Sequence, residues 1–181
     1  MKYIDEFRNK EVVRKLTDLI KKSATSNYTC MEVCGGHTAA IHRFGIPYLL
    51  TDKVKLISGP GCPVCVTGTD FIDKAIAYSK MEEVIITTFG DMIRVPGTVS
   101  SLEKEKAAGA DIRIVLSGLD ALEIARINPY KKVVFLGIGF ETTAPGSAIT
   151  IQLAEKDKID NFSLLSAHKV MPPAMKAIIN E

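Results

Sequence analysis

The chain has 181 residues, with 23 Lys and Arg against 21 Asp and Glu, four Cys, no Trp and 46% hydrophobic residues. That apolar fraction is typical of a folded globular protein and excludes wholesale disorder, while a net charge of +2 is too small to imply a nucleic-acid or acidic-membrane surface. No window approaches the ~18 consecutive apolar residues of a membrane span, and the acid-bearing start lacks the apolar stretch of a secretory signal.

The expected compartment is therefore the cytoplasm, where thiols stay reduced. The cysteines accordingly read as metal-binding, catalytic or buried rather than as structural disulfides. Residues 5–22 place Phe7, Val12, Val13, Leu16, Leu19 and Ile20 at helical spacing. Short β-type runs follow at Tyr28–Val33, Val54–Ser58, Val84–Thr88, Ile112–Leu116, Val133–Ile138 and Ser163–Ser166. Helical stretches sit between most of them, at Thr38–Arg43, Thr67–Lys80, Val99–Ala108, Leu119–Ile127, Ser147–Lys156 and Pro173–Asn180. Ser100 with Glu103 reads as a capping box, and Asn128-Pro129 as a helix stop. This alternation predicts an α/β fold with mainly parallel sheets and flanking helices. A weak break near Gly118 suggests a first domain over residues 1–118 and the start of a second, truncated or split, over 119–181.

The unusual segments all follow strands, where open parallel sheets form their ligand crevice. Cys62-Pro-Val-Cys65 stands between a strand and a helix. A helix N-terminus stabilises thiolate, and the spacing lets two sulfurs close a disulfide or share a metal. Thiol redox or transient metal chemistry is the expectation. Half of a structural zinc site, or two buried thiols, is the plainer alternative, though no second Cys-x-x-Cys is present to complete it.

Cys34-Gly35-Gly36-His37-Thr38 reads as a second strand-to-helix turn, with glycines for a sharp bend and a thiol and an imidazole able to face one zinc or iron atom. A glycine turn with an incidental Cys and a capping Thr is the alternative. Cys30 shares the strand parity of Cys34 but lies ~13 Å back along the strand, and is expected to be a buried apolar residue. Gly137-Ile-Gly139-Phe-Glu141-Thr-Thr143 starts like a dinucleotide fingerprint and fails at Thr142, where the third glycine belongs. Glu141, Thr142 and Thr143 remain candidates for ligand or partner contact, or for a cap and turn. Asp91 and Arg94 are candidates for a charge pair or clamp over the crevice. His168 and Lys169 place a titratable group and a cation at the last strand end, and His42 reads as an ordinary helix histidine.

Five ordered motifs carry a family resemblance: Met31-Glu-Val-Cys-Gly-Gly-His-Thr38, Gly59-Pro-Gly-Cys-Pro-Val-Cys65, Thr88-Phe-Gly-Asp-Met-Ile-Arg-Val-Pro-Gly97, Gly139-Phe-Glu-Thr-Thr-Ala-Pro145 and Ser166-Ala-His-Lys-Val-Met-Pro-Pro173. The sequence resembles the HypD family of hydrogenase maturation proteins, over about the family's N-terminal half. The resemblance implies a scaffold that helps assemble the Fe(CN)2(CO) unit of nickel–iron hydrogenases, with a HypC-like chaperone and a HypE-like cyanide donor as partners. It implies that Cys34 is the iron-associated cysteine, with His37 beside it, and that Cys62 and Cys65 are a redox-active pair. The family also carries a 4Fe-4S cluster on cysteines of its C-terminal part. Those cysteines have no counterpart here, so a separate polypeptide is the expected source of that half. The reading from another class is a thioredoxin-like thiol–disulfide oxidoreductase, and a third is a zinc-stabilised binding module.

Overall fold

The computed structural model describes residues 9–59 and 61–179. Phe7, Pro60 and Asn180, each inside an expected helix or motif, lie outside the described residues. The chain divides into two compact units, Met1–Cys62 and Pro63–Glu181.

In the first unit, α1 (Lys10–Ser23) is capped by Asn9, whose side chain accepts the Glu11 and Val12 N–H groups. It is followed by β1 (Tyr28–Glu32), α2 (Gly35–Arg43), α3 (Ile46–Leu49) and β2 (Val54–Ser58). β1 and β2 form a two-stranded parallel sheet in register from Tyr28 opposite Val54 to Glu32 opposite Ser58. No residue of these three helices is buried, and the apolar stripe of α1 (Val12, Val13, Leu16, Leu19 and Ile20) is exposed. Cys30 is exposed, not buried. Strands of large parallel sheets are covered on both faces, but within this unit the two-stranded sheet leaves Cys30 uncovered.

The second unit runs α4 (Thr69–Ser79), β3 (Val84–Thr88), a 3-10 turn (Met92–Arg94), α5 (Leu102–Ala107), β4 (Ile112–Ile114), α6 (Gly118–Ile127), β5 (Lys132–Gly137), α7 (Ala144–Lys156), β6 (Phe162–Ser166) and α8 (Pro172–Ile179). All its strand pairs are parallel, in the order β4-β3-β5-β6. β3 is buried along its whole length. Its alternate residues face two cores: Val84 and Ile86 meet Phe71, Ile72, Ala75 and Ile76 of α4 and Leu102 of α5, while Ile85 meets Ala125 of α6. Fully burying each such aliphatic side chain stabilises the fold by roughly 1.5–3 kcal/mol.

The division falls after Cys62 rather than near Gly118. The physical reason is that β3 pairs with β4 before Gly118 and with β5 after it, so one sheet spans the expected break. The cap of α5 is Ser101, which accepts the Lys104 N–H, not Ser100. Ser100 instead bonds the Glu105 carboxyl, the main reason that group is held below its ordinary value. Asn128 ends α6 as expected. Among the described residues no helix is long and apolar enough to cross a membrane.

Candidate functional site

In the first unit the two cysteine-bearing segments meet at the ends of β1 and β2. The Gly59 N–H donates to the Glu32 carbonyl (2.8 Å) and the Gly35 N–H to the Gly61 carbonyl (3.3 Å). Gly61 allows this approach, because a Cβ there would stand 1.6 Å from the Val33 carbonyl oxygen. Cys34 is the residue that caps α2, in extended conformation, and its thiol is free and makes no capping bond.

Gly35 and Gly36 are not the expected sharp turn. They are the first two residues of α2, and the positive-φ glycines of the chain are Gly45 and Gly109. Packing does not demand them either. A Cβ on Gly35 would meet nothing within 4 Å, and one on Gly36 only the Cys34 Sγ at 3.9 Å. The space beside the thiol is therefore open. Thr38 is not a cap; its N–H makes the first ordinary helix bond, to the Cys34 carbonyl. His37 is exposed, with Nδ1 3.5 Å from Glu32 Oε1. Glu32, which the sequence reading missed, thus sits within ion-pair reach of the imidazole when the ring is protonated. Its place at the end of β1, beside the CGGHT run, was the available signal.

Cys62 and Cys65 are disulfide-bonded, whereas Cys30 and Cys34 are free thiols. Cys65 does not stand at a helix start. α4 begins at Thr69 with Gly68 as cap, and Cys65 lies in the preceding turn, which Thr67 ties back through a bond from its hydroxyl to the Pro63 carbonyl (2.8 Å). Val64 packs against the α4-side core of the second unit.

The second unit places its loops at the carboxyl ends of the strands. β4 and β5 lie on opposite sides of β3, which makes the end of β3 a topological switch point, where open α/β sheets bind ligands. There the wholly buried Thr88 hydroxyl has no hydrogen-bond partner among the described residues, an exception that asks for an explanation in a native core. Beyond β5 and β6 the chain continues their pairing. The Ala167 N–H donates to the Gly137 carbonyl (2.8 Å), the Lys169 N–H to the Gly139 carbonyl (2.9 Å) and the Met171 N–H to Glu141 Oε1 (2.8 Å). Glu141 and the His168-Lys169 loop are thereby joined, with Glu141 anchoring the backbone. Thr143 precedes α7 and turns its hydroxyl to the Phe140 carbonyl (3.0 Å), and Thr142 is exposed.

Asp91 and Arg94 do not pair. Among the described residues, Arg94 stands 3.4 Å from Glu103 of α5 and Asp91 faces solvent. The 3-10 turn separates them, burying Met92 and Ile93 between two exposed polar residues. A cavity of about 420 Å³, lined by Lys80, Glu105, Asp111 and Lys131 among others, lies at the opposite, amino ends of the strands and does not belong to this crevice.

Among the described residues no group of three or more His, Cys, Asp and Glu side chains gathers to hold a metal. Cys34 and His37 offer two donors, so a metal held there would take its other ligands from elsewhere.

A parallel α/β chain with a free cysteine capping a Gly-Gly helix and a separate Cys-x-x-Cys disulfide defines a thiol-bearing α/β class. Residues 10–181 match the HypD family model, described as the hydrogenase formation hypA family, and the chain belongs to that family. It is 48% identical over 182 residues to the hydrogenase maturation factor HypD2 of Bradyrhizobium diazoefficiens, covering 99% of this chain and 48% of the relative. It is 45% identical over 188 residues to the hydrogenase maturation factor HypD of Escherichia coli, covering 100% of this chain and 50% of the relative. The HypD of Azotobacter vinelandii is 48% identical over 183 residues, with 99% and 48% covered. The chain thus spans about half the length of these curated relatives.

Proposed function

We propose that the chain serves hydrogenase maturation in the cytoplasm, as part of a scaffold on which an iron cargo acquires cyanide and carbon monoxide. In this reading Cys34 supplies a thiolate to the iron, and His37, oriented by Glu32, assists it. A HypC-like chaperone shares the iron and a HypE-like protein donates cyanide. Family membership and the names of the relatives support the role. The observation that carries the site is the free Cys34 thiol beside a space left open by two glycines that neither backbone conformation nor packing requires. Thiolate is a soft ligand suited to an electron-rich iron, and a diatomic-bearing iron needs room next to the sulfur.

Cys62 and Cys65 are the redox pair of this reading: the disulfide takes up two electrons and two protons to give the dithiol. The electrons come from the 4Fe-4S half of the family's chain. The second-unit loops, with Asp91, Arg94, Glu141, Thr142, Thr143, His168 and Lys169, form the ligand- and partner-binding crevice.

The test is Cys34→Ser in the complex with the chaperone, with the remaining half of the family's chain supplied. The hydroxyl nearly preserves size but is a far poorer ligand for such iron. Iron content and the infrared bands of bound diatomics are expected to vanish while the fold survives. Full iron and cyanide signals in that variant would remove Cys34 from the proposal. The disulfide state of Cys62 and Cys65 favours, as second reading, a thioredoxin-like oxidoreductase. That protein would reduce model disulfides alone, without iron or partner.

A further inference from the structure

His168 is held at both ring nitrogens. Its Nε2 lies 3.3 Å from the Ser147 hydroxyl and its Nδ1 2.8 Å from the Ser166 hydroxyl. Ser147 stands in the first turn of α7 and is buried, with 8% of its surface exposed, whereas Ser166 ends β6 and is exposed. Gly137 makes room for the arrangement, since a Cβ there would stand 3.0 Å from His168 Cε1 and 3.5 Å from Ser147 Oγ.

Either ring nitrogen could carry the proton, and donor accounting points to one direction for the bonds. The hydrogen-bond partner of the Ser147 hydroxyl is His168 Nε2. A buried O–H needs an acceptor, so Ser147 donates and Nε2 accepts. The ring proton then sits on Nδ1 and is donated to Ser166, whose own proton is free to go to water. The three groups thus run in one donor direction, from a buried hydroxyl to a solvent-exposed one.

We infer that Ser147, His168 and Ser166 form a proton relay that carries a proton from the buried start of α7 to solvent, serving a ligand of the β5–β6 crevice that gives up a proton on binding, such as a thiol or a water molecule. This deepens, and rests on, the reading of the second-unit loops as a ligand crevice. The step is balanced. The ligand's proton goes to Ser147 Oγ as the Ser147 proton goes to Nε2. The Nδ1 proton goes to Ser166, and Ser166 releases its own to water. One proton leaves, no electrons move, and the ring ends as the Nε2–H tautomer, which returns to the Nδ1–H form by proton exchange with water once the ligand has left. Ser166 both carries the proton onward and, by accepting from Nδ1, selects the tautomer of His168. Burial lowers the His168 pKa, which keeps the ring neutral and able to accept near neutral pH.

The experiment is 15N–1H correlation spectroscopy of the imidazoles in the full chain. The chain has three His, and His168 is assigned by its loss in His168→Gln. The expected result is His168 protonated on Nδ1 with Nε2 bare. Ser166→Ala is expected to move the tautomer ratio about tenfold toward Nε2–H, the equivalent of one hydrogen bond of ~1.4 kcal/mol, and Ser166→Thr to restore it. An Nε2–H ring in the unaltered chain overturns the relay without any variant having to fold, and so does an unchanged ratio in Ser166→Ala. Neither result touches the crevice reading, which stands or falls on iron content of the partner complex in Glu141→Ala and Lys169→Ala.

Discussion

Gly36→Ala separates a glycine kept for the fold from one kept for a ligand. The substitution adds one methyl at the second residue of α2, where the backbone is not left-handed and the nearest atom is the Cys34 Sγ at 3.9 Å, an ordinary contact. Alanine in place of glycine in a helix is favourable by up to about 1 kcal/mol. In a chain of this size ~1 kcal/mol moves the melting temperature by roughly 2–4 °C, so the variant is expected to melt at or slightly above the original. Iron retention should move the other way. In the proposed role, a metal–thiolate bond of ~2.3 Å would put the cargo and its diatomic ligands in the space the methyl takes. Overpacking of ~1–3 kcal/mol weakens retention roughly five-fold to more than a hundred-fold. Calorimetry gives the first quantity, and metal analysis of the chaperone complex after gel filtration gives the second. Undiminished iron in a fully stable Gly36→Ala chain would refute the claim that the glycine reserves space. A melting temperature lowered by many degrees would show that the space is needed by the fold itself.

Gly61→Ala should behave oppositely, because its Cβ collides with the Val33 backbone. A loss of ~1–3 kcal/mol is expected, with faster amide exchange at Gly35, whose N–H bonds the Gly61 carbonyl; unchanged exchange there would contradict the packing. Cys30→Val, at an exposed position, should stay within ~0.5 kcal/mol of the original and keep its iron in the complex, and iron loss without unfolding would count against the division of roles between Cys30 and Cys34. Asp73 anchors the loop after β3. Its carboxylate accepts the Thr98 hydroxyl (2.6 Å) and N–H (2.8 Å), and these bonds, the hydroxyl's first, hold its pKa below the ordinary value. A depressed carboxylate contributes stability that is present above its unfolded pKa of about 3.9 and is lost as pH falls through the lower folded value. The Thr98 amide resonance should therefore stay constant from neutral pH down to about 4 and shift below it, whereas a shift centred well above that would place the titration elsewhere.

The strands were legible because each is a short apolar run bounded by turn residues, and Val54–Ser58 and Val84–Thr88 fall where expected. The errors have separable causes. α2 begins at Gly35 rather than Thr38 because Gly-Gly signals a bend until the dihedral angles are known. α3 is a four-residue helix containing Pro47, too short to show a period. Cys30 was misplaced because parity along a strand says which residues share a face, not whether anything covers it. The break after Cys62 leaves no trace in composition, and the order β4-β3-β5-β6 depends on pairings between distant segments. At the candidate site, Cys34 and His37 could be read from local spacing. The Ser147–His168 contact joins residues 21 apart in sequence, and only the register of β5 against β6 brings them together.

The scarcity of donors around Cys34 bears on the proposed role. A resident metal centre is usually enclosed by three or four protein ligands, and binding that closes such a set is strong enough to become part of the folding energy. Cys34 and His37 make a smaller set, and the His37 side chain is 74% exposed. In the proposed role, iron anchored by a thiolate and an exposed imidazole would take its remaining protein ligands from a second protein, so its affinity would change whenever that protein leaves. Such a dependence suits a carrier, because cargo shared with a second protein is easier to hand on than cargo enclosed by one chain. Glu32 suits the same economy of ligands. At 3.5 Å from Nδ1 it would pair with the ring without closing the site, and in the proposed role Nε2 would remain for the metal and the space over Gly35 and Gly36 for the partner or the diatomic ligands.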